Sequence, residues 1–293
     1  REAVLRFQGR HGLDADGVVG GSTIAALNVP AEDRASQIEV NLERWRWLPA
    51  DLGSRHIEVN IAGFGVEVVD RGRPVLRLRA IVGRHYTQTP SFSATLRYLV
   101  FAPFWHVPWS IAVREEFPRF QRDPGLLAAE RFMLIDRETN EPVDPTTVEW
   151  AASTPAQLAA RYRLRQSPGS RNALGRVKFM FPNPFDVYLH DTPGRELFAR
   201  TTRAFSHGCI RVERPLDLAA FLLESQGWTR ERILGAAEGT EETTVVLDRP
   251  LPVHVLYWTA WIDPAEGTLH FREDVYGRDE RVLQALAAPA PGS

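Results

Sequence analysis

One cysteine, Cys209, and one lysine, Lys178, occur among the 293 residues, and each scarcity removes a class of function. A single cysteine cannot close an intramolecular disulfide or supply a multi-cysteine zinc site. Lys178 follows Val177, so the Gly-Lys-Ser/Thr of a phosphate-cradling loop is missing. Of the 35 basic residues 34 are arginine, and against 37 acidic ones they leave a net charge of −2. No field for nucleic acid follows from such a balance. There is no run of about 18 uninterrupted apolar residues. Arg1-Glu2 open the chain without a methionine or a signal-peptide core, so the sequence reads as a portion of a longer chain. A nicotinamide fingerprint of the Gly-x-Gly-x-x-Gly type and a His-Glu-x-x-His metal helix are absent too. With 44% hydrophobic and 25% charged residues, what remains has the composition of a globular protein.

Arg1 to Pro30 reads as a short helix, a turn at Asp14-Ala-Asp-Gly17 and a second short helix beginning near Ser22. About thirty residues bury too little to stand alone, which makes this segment a fragment or a docked appendage. Over residues 31–53 a docking helix and linker are expected, with Ile38, Leu42 and Trp45 on the apolar face and Glu39, Glu43 and Arg44 on the polar one. After Gly53 the period changes to two. Ile57, Val59 and Ile61 alternate with polar residues, and turns lead on to strands at Val66 to Val69, Val75 to Val82, Leu96 to Phe104 and Val177 to Leu189. The expected class is mixed α/β and β-rich, a meandering sheet in a domain spanning about 54–285, with a tail over 286–293. Residues 112–174 mix helical and turn-rich signals between two strand groups, which predicts an insertion folded over the sheet as a lid. Pro215 can open a helix with Leu216, Leu218, Ala219 and Leu222 on its apolar face, leaving Cys209 in the loop that approaches it.

Six of the eight histidines are scattered, whereas His190 and His207 both lie shortly before the only thiol. A neutral thiol is a weak nucleophile at pH 7, so acyl transfer by Cys209 requires an imidazole to take its proton. His207 lies two residues before Cys209, a separation that does not readily aim both side chains at one reacting atom. His190, ending a strand that reads Phe185-Asp-Val-Tyr-Leu-His190, is the better base. Gly208, lacking a Cβ, lets the backbone approach a substrate, so the Gly208 and Cys209 amides could face a developing oxyanion; the plainer reading is a turn glycine. Tyr188 shares the strand face of His190 and could reach the site or belong to the core. Trp105, His106 and Trp109 sit where a strand meets the insertion, as groove lining or as packing. No pair of acids has a setting comparable to that of Cys209, which argues against cleavage of a glycan strand.

Ser206-His-Gly-Cys-Ile-Arg211, preceded by His190-Asp-Thr192, resembles the signature of the L,D-transpeptidases, cysteine enzymes that cross-link peptidoglycan through diaminopimelate residues. The resemblance extends through Asn41 to Pro49, Val100 to Ala112, Asn172 to Asn183 and Leu256 to Ala260. Residues 5–28 look like the second half of a small helical peptidoglycan-binding module, so 1–30 is a partial wall-binding unit. The resemblance implies that Cys209 is the nucleophile, His190 the base and Asp191 the residue whose backbone carbonyl holds the imidazole. It also implies that His207 shapes the substrate site and that Arg211 ties the loop down; Ser206, Tyr188 and Trp105 are further candidates for substrate contact. The implied reaction releases D-alanine from a donor stem peptide through a Cys209 thioester, which the side-chain amine of an acceptor stem resolves. Neither metal nor organic cofactor is implied. Carbapenems are the expected inhibitors, and the cell envelope, specifically the periplasm, is the expected place. Water in place of the acceptor amine would make the same site an L,D-carboxypeptidase or endopeptidase, and a chain without turnover would be a wall-binding protein.

Overall fold

The computed structural model describes residues 1–264 and 266–288. At the N-terminus, α1 (Glu2–Arg10) and α2 (Gly21–Leu27) are joined through Gln8, whose buried amide donates to Asp16, to the Val18 carbonyl and to Thr23. This pair docks by ring stacking of Phe7 on His11 and of His11 on Phe271, and through an Arg272 guanidinium donating to the Arg10 carbonyl.

Helix α3 (Ala31–Arg46) does dock, but through another face than its apolar spacing suggests. Leu42 and Trp45 are largely exposed, Trp45 lying flat on Trp258, while Val40, Asn41 and Arg44 are buried. Extended chain near Thr259 leaves polar groups that need partners, and the polar residues of α3 supply them. Gln37 donates to the Thr259 and Arg272 carbonyls, Asn41 exchanges hydrogen bonds with Thr259, and Arg44 pairs with Asp279 at 2.7 Å.

Strands β1 (Arg55–Asn60), β2 (Gly65–Asp70), β3 (Arg73–Gly83) and β4 (Phe92–Phe101) follow, their inward residues alternating as the period of two requires. Next comes β5 (Trp105–His106), and then a helical stretch made of α4 (Trp109–Ile111), a π-helical turn (Ala112–Glu116) and α5 (Phe117–Arg122). After α6 (Gly125–Ala129), β6 (Phe132–Asp136), β7 (Pro142–Val143), α7 (Pro155–Arg161) and β8 (Tyr162–Gln166) complete the insertion. Strands β5, β8, β6 and β7 pair antiparallel in that order and enclose a core of their own around Phe117, Phe120, Leu127, Leu134, Leu158 and Leu164. The inserted segment is thus a subdomain, not a loop.

The main sheet resumes with β9 (Val177–Met180), β10 (Leu189–His190), β11 (Ala204–Ser206), β12 (Ile210–Val212) and β13 (Thr243–Leu256). Its order is β11-β3-β12-β10-β9-β4-β13-β1-β2, and β2 also pairs with β3, so the sheet curls back onto itself. Parallel pairs occur at β1–β13, β10–β12 and β3–β11, which makes it mixed where alternation alone suggests a meander. Ile57, Val59, Val66, Val82, Leu99, Phe179 and Val253 fill the core beneath α8 (Pro215–Leu223) and α9 (Arg230–Ala237). The hairpin of β14 (Ala260–Asp263) and β15 (Thr268–Phe271) precedes α10 (Asp279–Ala287). That helix takes in the first two residues expected to form a tail, and residues 289–293 lie outside the described residues.

Candidate active site

Parallel pairing of β10 with β12 sets Leu189 opposite Ile210 and His190 opposite Arg211. Ile210 donates to the Tyr188 carbonyl at 3.0 Å, which brings the Cys209 loop alongside the end of β10. The half-buried Cys209 thiol donates to the Asp186 carbonyl at 3.7 Å and meets the Tyr188 hydroxyl. Tyr188 packs against both hydrophobic cores, and its ring centroid is 5.6 Å from that of His190. Tyr188 therefore touches the thiol through its hydroxyl and flanks the imidazole with its ring, where sheet and insertion meet.

His190 is buried, and its Nδ1 lies 2.5 Å from the Asp191 carbonyl oxygen. With that carbonyl as acceptor, Nδ1 carries the proton and Nε2 keeps its lone pair. Burial, reinforced by the Arg211 charge, pushes the imidazole down to about 3, against the raising effect of the Asp191 and Leu174 carbonyls facing the ring. For Cys209 burial acts in the opposite direction and pushes the thiol up, with hydrogen bonds from Tyr188 and the charge of Arg211 working against it. Both shifts disfavour charge, so the resting pair is a neutral thiol and a neutral imidazole.

The Asp191 carboxylate is buried and occupied. It accepts from the Arg176 amide at 2.9 Å and from Arg195 Nη1 at 2.9 Å. Gly175 makes room for it: the backbone there has φ +63°, and a Cβ would come within 2.5 Å of the carboxylate. Gly175 and Arg176 lie within the Asn172 to Asn183 block of the resemblance and Asp186 beside the His190 strand, yet the sequence assigns no role to them or to Arg195, because their contacts with Asp191 and Cys209 are made by the fold.

Several expected roles change once hydrogen bonds are assigned. The Gly208 amide donates to Ser206 Oγ at 3.1 Å, so it is engaged within the loop and is not presented to an oxyanion. Glycine is required there by φ +118°, not by crowding, since a Cβ would meet nothing closer than 3.8 Å. Ser206 is buried and spends its hydroxyl on the Cys209 carbonyl at 2.5 Å, which makes it a loop brace and removes it from substrate contact. Thr89 adds a second brace by donating to the Gly208 carbonyl at 2.8 Å. Trp105 is buried against Phe132 in the insertion's core, which decides for packing over groove lining, whereas His106 and Trp109 are exposed. Arg211 is largely desolvated next to Arg84, and its Nε is buried without a hydrogen-bond partner among the described residues. His207 turns to the insertion, its Nε2 2.5 Å from Glu115 Oε1.

A thiol loop beside the end of the interior strand β10 and a carbonyl-held imidazole on that strand make a cysteine–histidine pair of the kind that acyl transfer requires. Residues 54–249 match the family model of the L,D-transpeptidase catalytic domain (YkuD), and residues 1–27 match that of the "Putative peptidoglycan binding domain". The chain belongs to the L,D-transpeptidase family. A Haemophilus influenzae protein named "Putative L,D-transpeptidase" is 33% identical over 246 residues, 84% of this chain and 48% of the relative. The chain thus spans about half the length of that relative. Among solved structures, L,D-transpeptidase 3 from Mycobacterium tuberculosis is 15% identical, with 69% of this chain and 61% of that chain covered and a TM-score of 0.33. A structure of LD transpeptidase LdtMt1 in complex with imipenem is also 15% identical, with 69% and 59% covered and a TM-score of 0.29. Likeness at that level carries no argument about individual residues.

Proposed function

We propose that the chain is the catalytic portion of a peptidoglycan L,D-transpeptidase with Cys209 as nucleophile. The observation that carries this reading is the hydrogen bond from His190 Nδ1 to the Asp191 carbonyl, which leaves Nε2 as a proton acceptor beside a thiol loop. His190 takes the Cys209 proton as sulfur attacks the carbonyl of the L-centre of a donor stem peptide. Arg211 favours the thiolate and disfavours the imidazolium, so the proton is ready to move on. The Cys209 amide is assigned to the developing oxyanion in place of Gly208. Collapse breaks the bond to terminal D-alanine, whose nitrogen receives the proton from His190, and a thioester remains. The acceptor stem's side-chain amine then attacks the thioester, returns a proton through His190 and regenerates the thiol.

The insertion, whose sheet begins with β5 at Trp105 and not at residue 112, acts as a lid on the donor groove, and residues 1–30 serve as a partial wall-binding module. The peptidoglycan-related domains support work in the cell envelope, and the periplasm is the compartment proposed for it. Carbapenems acylate the same sulfur, their strained lactam carbonyl taking the place of the donor carbonyl.

Mass spectrometry of products from purified disaccharide tetrapeptide tests this reading. Cross-linked dimer and free D-alanine are expected from the wild type and neither from Cys209→Ala, whose thiol occupies a loop and costs little packing. Trimmed monomer without dimer would make the enzyme a hydrolase. Turnover by Cys209→Ala at roughly a tenth of wild type or more would place the nucleophile elsewhere.

A further inference from the structure

The helical stretch that opens the insertion contains a widened turn with a cause in the sequence. Pro118 has no N–H to give to the carbonyl of Arg114 four residues back, and its ring crowds that carbonyl. Helices relieve such a defect by a π-type turn, found here at Ala112–Glu116, and turns of this kind recur at functional sites. Two successive carboxylates of this turn point in different directions, as neighbouring helical residues do. Glu116 turns inward and binds Arg119 at 2.6 Å, and Arg119 also binds Glu130 at 2.6 Å, a clamp internal to the insertion. Glu115 turns outward and meets His207 of the thiol loop at 2.5 Å.

Contacts from the sheet side hold the main chain of that loop. Thr87 donates to the Ser206 carbonyl at 3.0 Å, Thr89 to the Gly208 carbonyl, and Ser206 Oγ to the Cys209 carbonyl. Glu115 instead grips a side chain, two residues before the sulfur. Both partners are partly exposed, at 28% and 42%, so the pair adds little to global stability. A short, charge-assisted contact with little value to the fold is best explained by what it orients.

We infer that Glu115 is a positioning residue of the reaction, acting through His207 to hold the Cys209 loop in its working geometry and making the insertion part of the catalytic machinery. The inference rests on Cys209 being the nucleophile, as proposed above. No motif marks Glu115, because its partner lies 92 positions away.

Steady-state kinetics of the full chain with the disaccharide tetrapeptide donor, for Glu115→Ala, Glu115→Gln, His207→Gln and the double Glu115→Ala/His207→Gln, test the assignment. Glu115→Ala is expected to lower kcat about tenfold with KM within about twofold, and Glu115→Gln, which keeps an acceptor at the same reach, to return within about threefold of wild type. The double variant should be no slower than His207→Gln alone, because the two residues act as one unit. Unfolding midpoints should stay at the wild-type value. A kcat for Glu115→Ala within about twofold of wild type, or losses that multiply in the double variant, would overturn the inference. A second readout is the rate of Cys209 alkylation by iodoacetamide, followed on the intact protein. Glu115→Ala should change it at least about threefold and should not change it further in the His207→Gln background. Equal rates for wild type and Glu115→Ala would overturn the inference. If the wild type does not turn over donor, the functional reading fails, and the alkylation rates still decide whether Glu115 acts on the thiol loop.

Discussion

Acid should destabilise the folded chain through His190 well before the carboxylates dominate. The imidazole has an ordinary value of 6.5 and is pushed down to about 3 in the fold, chiefly by burial and secondly by Arg211. Between those limits the unfolded chain binds a proton that the folded chain refuses, so stability falls as pH falls and is fully present above about 6.5. One proton corresponds to a slope of roughly 1 to 2 kcal/mol per pH unit, and from pH 7.5 to pH 5 the loss from this residue is roughly 2 kcal/mol. Urea denaturation of the wild type and of His190→Gln at pH 7.5, 6.5, 5.5 and 5 isolates the term. Groups other than His190 contribute to both proteins, and the variant's own cost is a constant offset. The wild-type curve should therefore bend downward relative to the variant's below pH 6.5. Parallel curves over the whole range would show that His190 is not held neutral by burial. The conclusion that base and nucleophile rest uncharged would fall with it.

Two further substitutions probe the support behind His190. Asp191→Asn keeps an acceptor for the Arg176 amide but loses the charge facing Arg195; it should cost about 1 to 2 kcal/mol by urea denaturation, the exposure of Arg195 keeping the figure low. A change under about 0.5 kcal/mol would mean that the carboxylate contributes nothing beyond its shape. Gly175→Ala combines strain at φ +63° with a Cβ only 2.5 Å from the Asp191 carboxylate, and should lower stability by about 1 to 3 kcal/mol. By displacing Asp191 it should also slow acylation of Cys209 by a carbapenem, followed by intact-protein mass. Unimpaired acylation would separate the Asp191 position from the state of His190.

The strands over 55–101 and the helix opened by Pro215 could be read from the chain because they follow local rules. Alternation of Ile57, Val59 and Ile61 needs no partner to be recognised, and Pro215 fits the first turn of a helix wherever that helix lies. Cys209 and His190 stood out for a related reason. A lone thiol preceded by two nearby histidines is a local pattern, and its chemistry limits what it can do. Which groups those residues engage was decided by packing. Ser206 takes up the Gly208 amide, the polar side of α3 turns inward to serve Thr259, and β2 returns to β3 to curl the sheet. Burial drives Cys209 up and His190 down, a consequence of the enclosed volume that no sequence spacing encodes. Glu115 shows the same division within one residue: Pro118 prescribes the widened turn locally, while only the docking of the insertion on the sheet brings that carboxylate to His207.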